Sequence, residues 1–165
     1  MIRIEDRDRC FNYRVAGVAI RDDSVLLHQA EGESFWTLPS GRPEFGETAE
    51  QTLRREMLEE TGIEVEVVRL LWFVENLFDY ANKRYHEISG FFLMTLPSQC
   101  EYIVEAGPFD GEEPEAQVKL TFRWFPRRQD VLVNLPLLPS FLQAAIQALT
   151  ESVEHVVQQD NPVQS

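Results

Sequence analysis

The stretch Gly41 to Ile63, GRPEFGETAEQTLRREMLEETGI, decides how this chain is read. Thr48 followed three residues later by Gln51 has the form of a capping box, and Gly62 after Thr61 is a left-handed stop, so the spacing predicts a helix over 49–60. Ile63 is placed to fold back onto Leu58 or Met57. At about 100° per residue, Ala49, Leu53 and Met57 form an apolar arc, and Glu56, Glu59 and Glu60 lie together beside it.

Acids so placed repel one another. Glu56 stands four residues from Glu60 and three from Glu59, and each like-charged pair of that spacing costs roughly 0.2–0.5 kcal/mol. Partial burial beside the core raises the cost. A divalent cation relieves it, because a hard ion such as Mg²⁺ takes carboxylate oxygens, keeps several waters and is completed by substrate phosphates. The alternative is an acidic helix whose glutamates point into solvent.

The same stretch resembles the Nudix box: a glycine, five residues, a glutamate, seven residues, Arg-Glu, a bulky aliphatic, any residue, Glu-Glu, any residue, a glycine and another bulky aliphatic. Gly41, Glu47, Arg55, Glu56, Met57, Glu59, Glu60, Gly62 and Ile63 fill every specified position. Leu38-Pro39-Ser40 is similar to the family's lead-in, except that Ser40 stands where a glycine is common. The resemblance implies an α+β fold, a Nudix-like α/β/α sandwich with a mixed β-sheet. It also implies a hydrolase of acid anhydrides that uses Mg²⁺ or Mn²⁺ to cleave the pyrophosphate bond of a nucleoside diphosphate linked to another moiety. Such a linkage resists hydroxide because both partners are negative, and metal ions between phosphate oxygens and carboxylates remove that repulsion.

By the same resemblance, the metal ligands are Glu56, Glu59, Glu60 and the Gly41 carbonyl, and the catalytic set is Glu59, Glu60 and Arg55. Arg55 pairs with a ligating glutamate and fixes its orientation. The base that deprotonates water is one of these glutamates or an acid from another loop, with Glu75, Glu87, Glu112, Glu113 and Glu115 as candidates. Arg42 and Glu47 beside the helix, with Phe78 and Tyr80 downstream, are the expected substrate-binding residues. Glu47 reaches a metal-bound water or braces the loop at the helix start, where a negative group is favoured. Two other readings stand beside the enzyme: a Nudix-fold nucleotide-binding or regulatory module without turnover, and an acidic protein whose glutamate helix docks a basic partner.

Outward from the box, YRVAGVAI (13–20) and SVLLHQ (24–29), joined by Arg21-Asp22-Asp23, predict a β-hairpin. His28 near its end reads as structural or superficial rather than as a ligand. Phe35 to Leu38 predicts a short strand before Pro39, with Trp36 in the core. Residues 64–78 and 84–96 predict two long strands around a polar turn at 79–83, with Phe78, Tyr80, Tyr85 and His86 about that hairpin. An acidic excursion over 97–119 carries a short strand at Tyr102 to Val104, and 120–125 alternates as another strand. One helical turn is expected at 129–133, and a final helix capped by Ser140 carries Phe141, Leu142, Ala145, Ile146 and Leu149 on one arc. The expected organisation is an N-terminal arm or edge strand over 1–11, the domain over 12–150 and a polar tail over 151–165, loose in its last half-dozen residues.

At 165 residues and 44% hydrophobic content, the chain is long enough for one domain with a substantial core. Fifteen basic against 28 acidic residues, a net charge of −13, disfavour a protein that tracks a nucleic-acid polymer, yet allow a small anionic substrate drawn in by a metal. Cys10 and Cys100 read as free thiols of a reducing compartment. With no signal peptide and no membrane-length apolar run, a cytoplasmic location without membrane partners is expected. A homodimer, the commonest assembly, is allowed.

Overall fold

Strand β2 (Arg9–Arg21) is the spine of the molecule. Val15 and Ala19 join the core on one face of the sheet, whereas Ala16 and Val18 join the core on the other, as alternation on a doubly covered strand requires. Asp22 and Asp23, both at positive φ, turn the chain into β3 (Ser24–Ala30), where Leu26 and Leu27 divide between the two cores in the same way. A two-residue turn of this hand suits the twist of a hairpin.

Only Ile20–Val25 and Arg21–Ser24 pair across that hairpin, and beyond them β2 and β3 part. β3 continues antiparallel to β8 (Val118–Pro126), which carries β7 (Phe109–Glu113) on its outer side. β2 runs parallel to β6 (Lys83–Thr95), β6 antiparallel to β5 (Glu66–Tyr80), and β9 (Glu154–Gln159) lies parallel to β5 at the far edge. β1 (Arg3–Asp6) and the two-residue β4 (Ser40–Gly41) pair with β2 on the side that β3 leaves free. This computed structural model describes residues 1–160, in which the strands form one mixed nine-stranded sheet.

Helix α1 (Ala49–Thr61) covers one face through Leu53 and Met57, both fully buried. The short α2 (Gln129–Leu132) and α3 (Leu142–Ala145) cover the other through Leu132, Leu142 and Ile146. The fold is thus the expected α+β sandwich with a mixed sheet. α1 begins and ends as its sequence dictates. Thr48 and Gln51 exchange both capping-box bonds, Gly62 is left-handed at φ 73°, and its N–H donates to the Leu58 carbonyl at 2.9 Å. Ile63 then packs in the core that holds Met57. Among the described residues, no helix is long and apolar enough to cross a membrane.

Several margins differ from the sequence expectation. Phe35 to Leu38 makes only isolated bridges, His28 to Thr37 and Trp36 to Leu137, because the proline that follows ends the ladder. Trp36 still packs beside the core, edge-on to Phe125 at 4.8 Å. Tyr102 to Val104 is not a strand. Tyr102 is buried and stacks on Phe109 at 4.3 Å, and the strand of the acidic excursion is β7, paired to β8 from Phe109 opposite Phe122.

The final helix shrinks to one turn. Ser140 Oγ donates to Asp160 at 2.6 Å instead of capping, and the backbone bonds around α3 mix three- and four-residue spacings. The expected arm contributes β1. The expected tail contributes β9, whose alternating Val156 and Val157 carry little burial but whose backbone completes a ladder with Trp72 to Leu77. The rest of the expected loose tail, residues 161–165, lies outside the described residues.

Candidate functional site

The parting of β2 from β3 opens a cavity of about 370 Å³. Its walls come from β2 (Asn12, Arg14), β3 (His28), the link through Ser40 to Arg42, helix α1, the β5–β6 hairpin and the end of β7.

At one end stand the acids of α1. Glu60 is only 6% exposed, on the same side as Leu53 and Met57, so the helix that buries its apolar arc necessarily carries this carboxyl inward. Its Oε2 has no hydrogen-bond partner. Burial first, then the charges of Glu56 and Glu113, push its pKa up to about 9. Glu56 is half-buried and shifted upward by burial, with Arg55 opposing and Glu59 and Glu113 adding to the shift. Of the three acids proposed from the downstream excursion, Glu113 bears on these carboxylates, whereas Glu112 pairs across the strand with Lys119 and Glu115 lies at the rim of the cavity. Glu75 is elsewhere, 3.8 Å from His155 on the outer side.

Arg55 fastens this end together. Nε and Nη2 hold the two oxygens of Glu47 at 2.8 and 3.0 Å, Nη1 holds Glu56 at 3.0 Å and Glu59 at 3.1 Å, and Nη2 also donates to the Arg42 carbonyl at 3.2 Å. A guanidinium has five N–H groups, and these five bonds engage them all. The arginine's hydrogen bonds hold the Glu47 carboxyl down at about 2. Glu47, expected either near the substrate or bracing the loop at the helix start, accepts from Arg55, Thr52 Oγ1 and the Glu44 N–H, which is the bracing arrangement, and is not among the residues lining the cavity. Gly41 is required by the same packing, because a Cβ there would coincide with the Glu56 carboxyl.

Deeper in, two guanidiniums sit in the cavity wall. Arg14 donates to Glu87 at 3.3 Å and to Ser40 Oγ at 2.8 Å, and Arg42 donates to Asn12 Oδ1 at 2.7 Å. Asn12 in turn donates to Glu87, whose other oxygen accepts from Ser89 at 3.0 Å. The Ser40 that departs from the family pattern thus anchors Arg14. Glu87 is in the cavity but is committed to this network rather than to the acids of α1. Burial and the neighbouring Arg14 lower the pKa of Arg42.

The far end is aromatic. Phe78 and Tyr85 stack at 4.9 Å with planes 6° apart, Tyr80 meets Tyr85 edge-on, and its hydroxyl donates to Glu33 on the loop after β3. Phe35 completes that wall, while His86 turns outward against Phe11. Asn12, Arg14, Phe35 and Asn76 were not singled out by sequence. Arg14 is the one with a signal, a cation inside an otherwise apolar strand. His28, read as structural or superficial, is buried with its Nδ1 facing Glu60.

Among the described residues, no three His, Cys, Asp or Glu side chains converge on a point that could hold an ion as they stand, and Glu56 and Glu59 are both engaged by Arg55. The donor set nevertheless fits a hard divalent cation: an unpartnered buried carboxylate oxygen on Glu60, with Glu56 and Glu113 close enough to raise its pKa.

Comparison with known proteins places this arrangement. A family model described as NUDIX domain matches residues 12–140. A Caenorhabditis elegans protein provisionally named nudix hydrolase 1 is 38% identical over 106 residues, covering 59% of this chain and 28% of that protein. A MutT-like protein of Streptomyces ambofaciens is 44% identical over 63 residues, 38% of this chain and 41% of its own length. The chain thus matches less than half the length of each of these curated relatives. In fold, it is similar to the mutator MutT protein of Bacillus halodurans, with a TM-score of 0.62 at 19% identity over 91% of this chain and 90% of that one.

Proposed function

This chain belongs to the Nudix family, and on that premise we propose that it hydrolyses the pyrophosphate bond of a nucleotide or nucleotide derivative with the help of Mg²⁺ or Mn²⁺. The observation that carries the reading is the order of chemistry along one cavity: carboxylates, of which Glu60 has an unpartnered oxygen, then two guanidiniums, then stacked aromatic rings. That order matches a substrate presenting a cation-bridged phosphate, a further phosphate and a planar base.

Glu60, Glu56 and Glu59, with the Gly41 carbonyl beside them, would hold the ion. When bound, the ion supplies charge relief at the phosphates and acidifies the attacking water. Arg55 positions Glu56 and Glu59 from behind. Arg14 and Arg42 receive phosphate oxygens, and their anchoring by Glu87, Ser40 and Asn12 fixes the angle at which they do so. Glu56, Glu59 and Glu113 are the carboxylates available to accept the proton of the water. Phe78 and Tyr85 offer a stacking face.

The test is a panel of nucleoside triphosphates, oxidised purine nucleotides, sugar nucleotides, ADP-ribose and dinucleoside polyphosphates, followed by phosphorus NMR with and without Mg²⁺ or Mn²⁺. Metal-dependent cleavage of at least one is expected. Nucleotide binding by calorimetry with no cleavage of any at saturating metal would mean a binding module instead.

Two variants sharpen this reading. Phe78→Ala removes a stacking surface, which contributes about 1–3 kcal/mol per base, so KM is expected to rise roughly 5- to 150-fold with kcat little changed. An unchanged KM would remove the base from this wall. Gly41→Ala forces only the end of a flexible side chain to move, so the fold is expected to persist, but Glu56 leaves its place beside Arg55. Displacement on the order of 1 Å costs roughly 100-fold in rate. Wild-type turnover in that variant would show that the Glu56 position is immaterial.

A further inference from the structure

Asn76 lies on β5 in the wall of the cavity. It stands opposite Glu87 on β6 and Gln158 on β9, two residues before Phe78, so along this face of the sheet it separates the Glu87 network from the stacked rings. Neither neighbour answers its amide. Glu87 is taken by Asn12, Arg14 and Ser89, and the Gln158 amide donates to Ser140 and Asp160. Asn76 is only 5% exposed, its Oδ1 has no hydrogen-bond partner, and its Nδ2 makes no hydrogen bond among the described residues. A buried amide left unmet is a penalty that the fold itself does not require, and in a cavity wall it marks a group kept for a ligand. Its last torsion is broad and two-fold, so with no bond to hold it the amide can turn either atom toward the lumen.

The surroundings select that ligand. Phe35, the Phe78–Tyr85 stack, Leu138 and Pro139 line this end and suit a flat ring. The charged side chains beside them are Glu33, bonded to Tyr80, and Asp160, whose N–H donates to the Leu77 carbonyl. Both are carboxylates, which when ionised accept hydrogen bonds and never donate them. Asp160 receives Ser140 and Gln158 on Oδ1 alone, so its second oxygen has no partner among the described residues. This end of the cavity is therefore rich in acceptors and calls for a ring that carries N–H donors.

We propose that Asn76 reads the base of the nucleotide, receiving an amino group on Oδ1 and donating from Nδ2 to the adjacent ring nitrogen, and that the base selected is adenine over the 6-oxo purines. An asparagine amide meets an adenine edge in this paired way. Hypoxanthine and guanine need the amide reversed, and they set an oxygen where carboxylates rather than donors complete the wall. The inference rests on the nucleotide reading above and adds the identity of the base to it.

The experiment titrates the full chain by calorimetry with ADP, IDP and GDP, in chelator and again with Mg²⁺. ADP is expected to bind roughly 5- to 150-fold more tightly than the other two, the range a bidentate amide contact supplies. In Asn76→Leu, which is close in shape, that preference is expected to vanish through weaker ADP binding. The ligand-free variant should melt no lower than the wild type, because it discards an amide that was bonded to nothing. A lower melting temperature would show that the amide supports the fold and overturns the proposal. The wild-type comparison needs no variant. IDP or GDP bound as tightly as ADP overturns the choice of base and leaves the hydrolase reading standing, whereas failure of all three to bind under both conditions overturns the nucleotide reading with it.

Discussion

Metal-free Glu60→Gln protein is expected to melt about 6–12 °C above the wild type at pH 7, while metal-dependent hydrolysis falls by roughly two to four orders of magnitude. The stability gain follows from a carboxyl held at about 9 against an ordinary value of 4.5. The folded state binds this proton more tightly than the unfolded one. Its contribution is therefore fully present below about pH 4.5 and is lost as pH rises toward about 9, at about 1.4 kcal/mol per pH unit. At pH 7 the loss is roughly 3 kcal/mol, worth about 2–4 °C per kcal/mol in a chain of this size. Glutamine has no proton to lose. The rate loss follows from weakening the hold on an ion whose charge stabilisation contributes several kcal/mol to the transition state. Melting curves in chelator at pH 5, 7 and 9 check the first half: the wild type should approach the variant at pH 5 and fall away at pH 9. Added Mg²⁺ should restore the wild type and leave the variant unmoved, because binding to the folded state alone stabilises it. Parallel curves at all three pH values would sink this account of Glu60.

Arg55→Ala is expected to cost roughly 2–4 kcal/mol of stability. Breaking a buried pair costs about 3–5 kcal/mol, and the guanidinium is 28% exposed, so solvent screens part of that loss. Glu47, Glu56 and Glu59 lose a shared counter-charge at once, and the Arg42 carbonyl loses its donor. Arg55→Lys should recover little, since one ammonium cannot meet two oxygens of Glu47 and two further carboxylates in the directions a planar guanidinium does. There is also an acid signature. Glu47, lowered to about 2, adds stability that is present above pH 4.5 and lost as pH falls toward 2. Most of that dependence should be lost in Arg55→Ala, leaving the smaller part owed to the Thr52 and Glu44 donors. Urea melts at pH 3 and 7 on the three proteins measure both effects, and an alanine variant as stable as the wild type would reduce the arginine to an ordinary surface pair.

Helix α1 was legible because each of its determinants is local: a capping hydroxyl, a left-handed glycine and an apolar arc lie within one short run of chain. The inward placement of Glu60 followed from the same periodicity. The cavity's other walls depend on strand pairings distant in sequence. Arg14 meets Ser40 only because β4 pairs with β2, and His28 faces Glu60 only because β8 holds β3 across the helix. β9 was read as tail because its side chains are mostly polar, yet an edge strand is held by backbone bonds that side chains do not announce. The shortened last helix had the right apolar arc. What pattern could not show is that the Ser140 hydroxyl is occupied by Asp160 and the Ile146 carbonyl by Arg127.

The tip of the β5–β6 hairpin bears on the cavity through Phe78, Tyr80 and Tyr85, none of which is a core residue. Their replacement disturbs neither hydrophobic cluster, so this ladder can be rewritten at small cost to folding. The carboxylate end has no such latitude, because Glu60 shares its helix with Leu53 and Met57 and moves only if they do. On the proposed function, discrimination among nucleotides and the power to cleave them would be housed in parts of the chain with unequal freedom to change: a new preference could be acquired at the hairpin while the carboxylate end stays as it is.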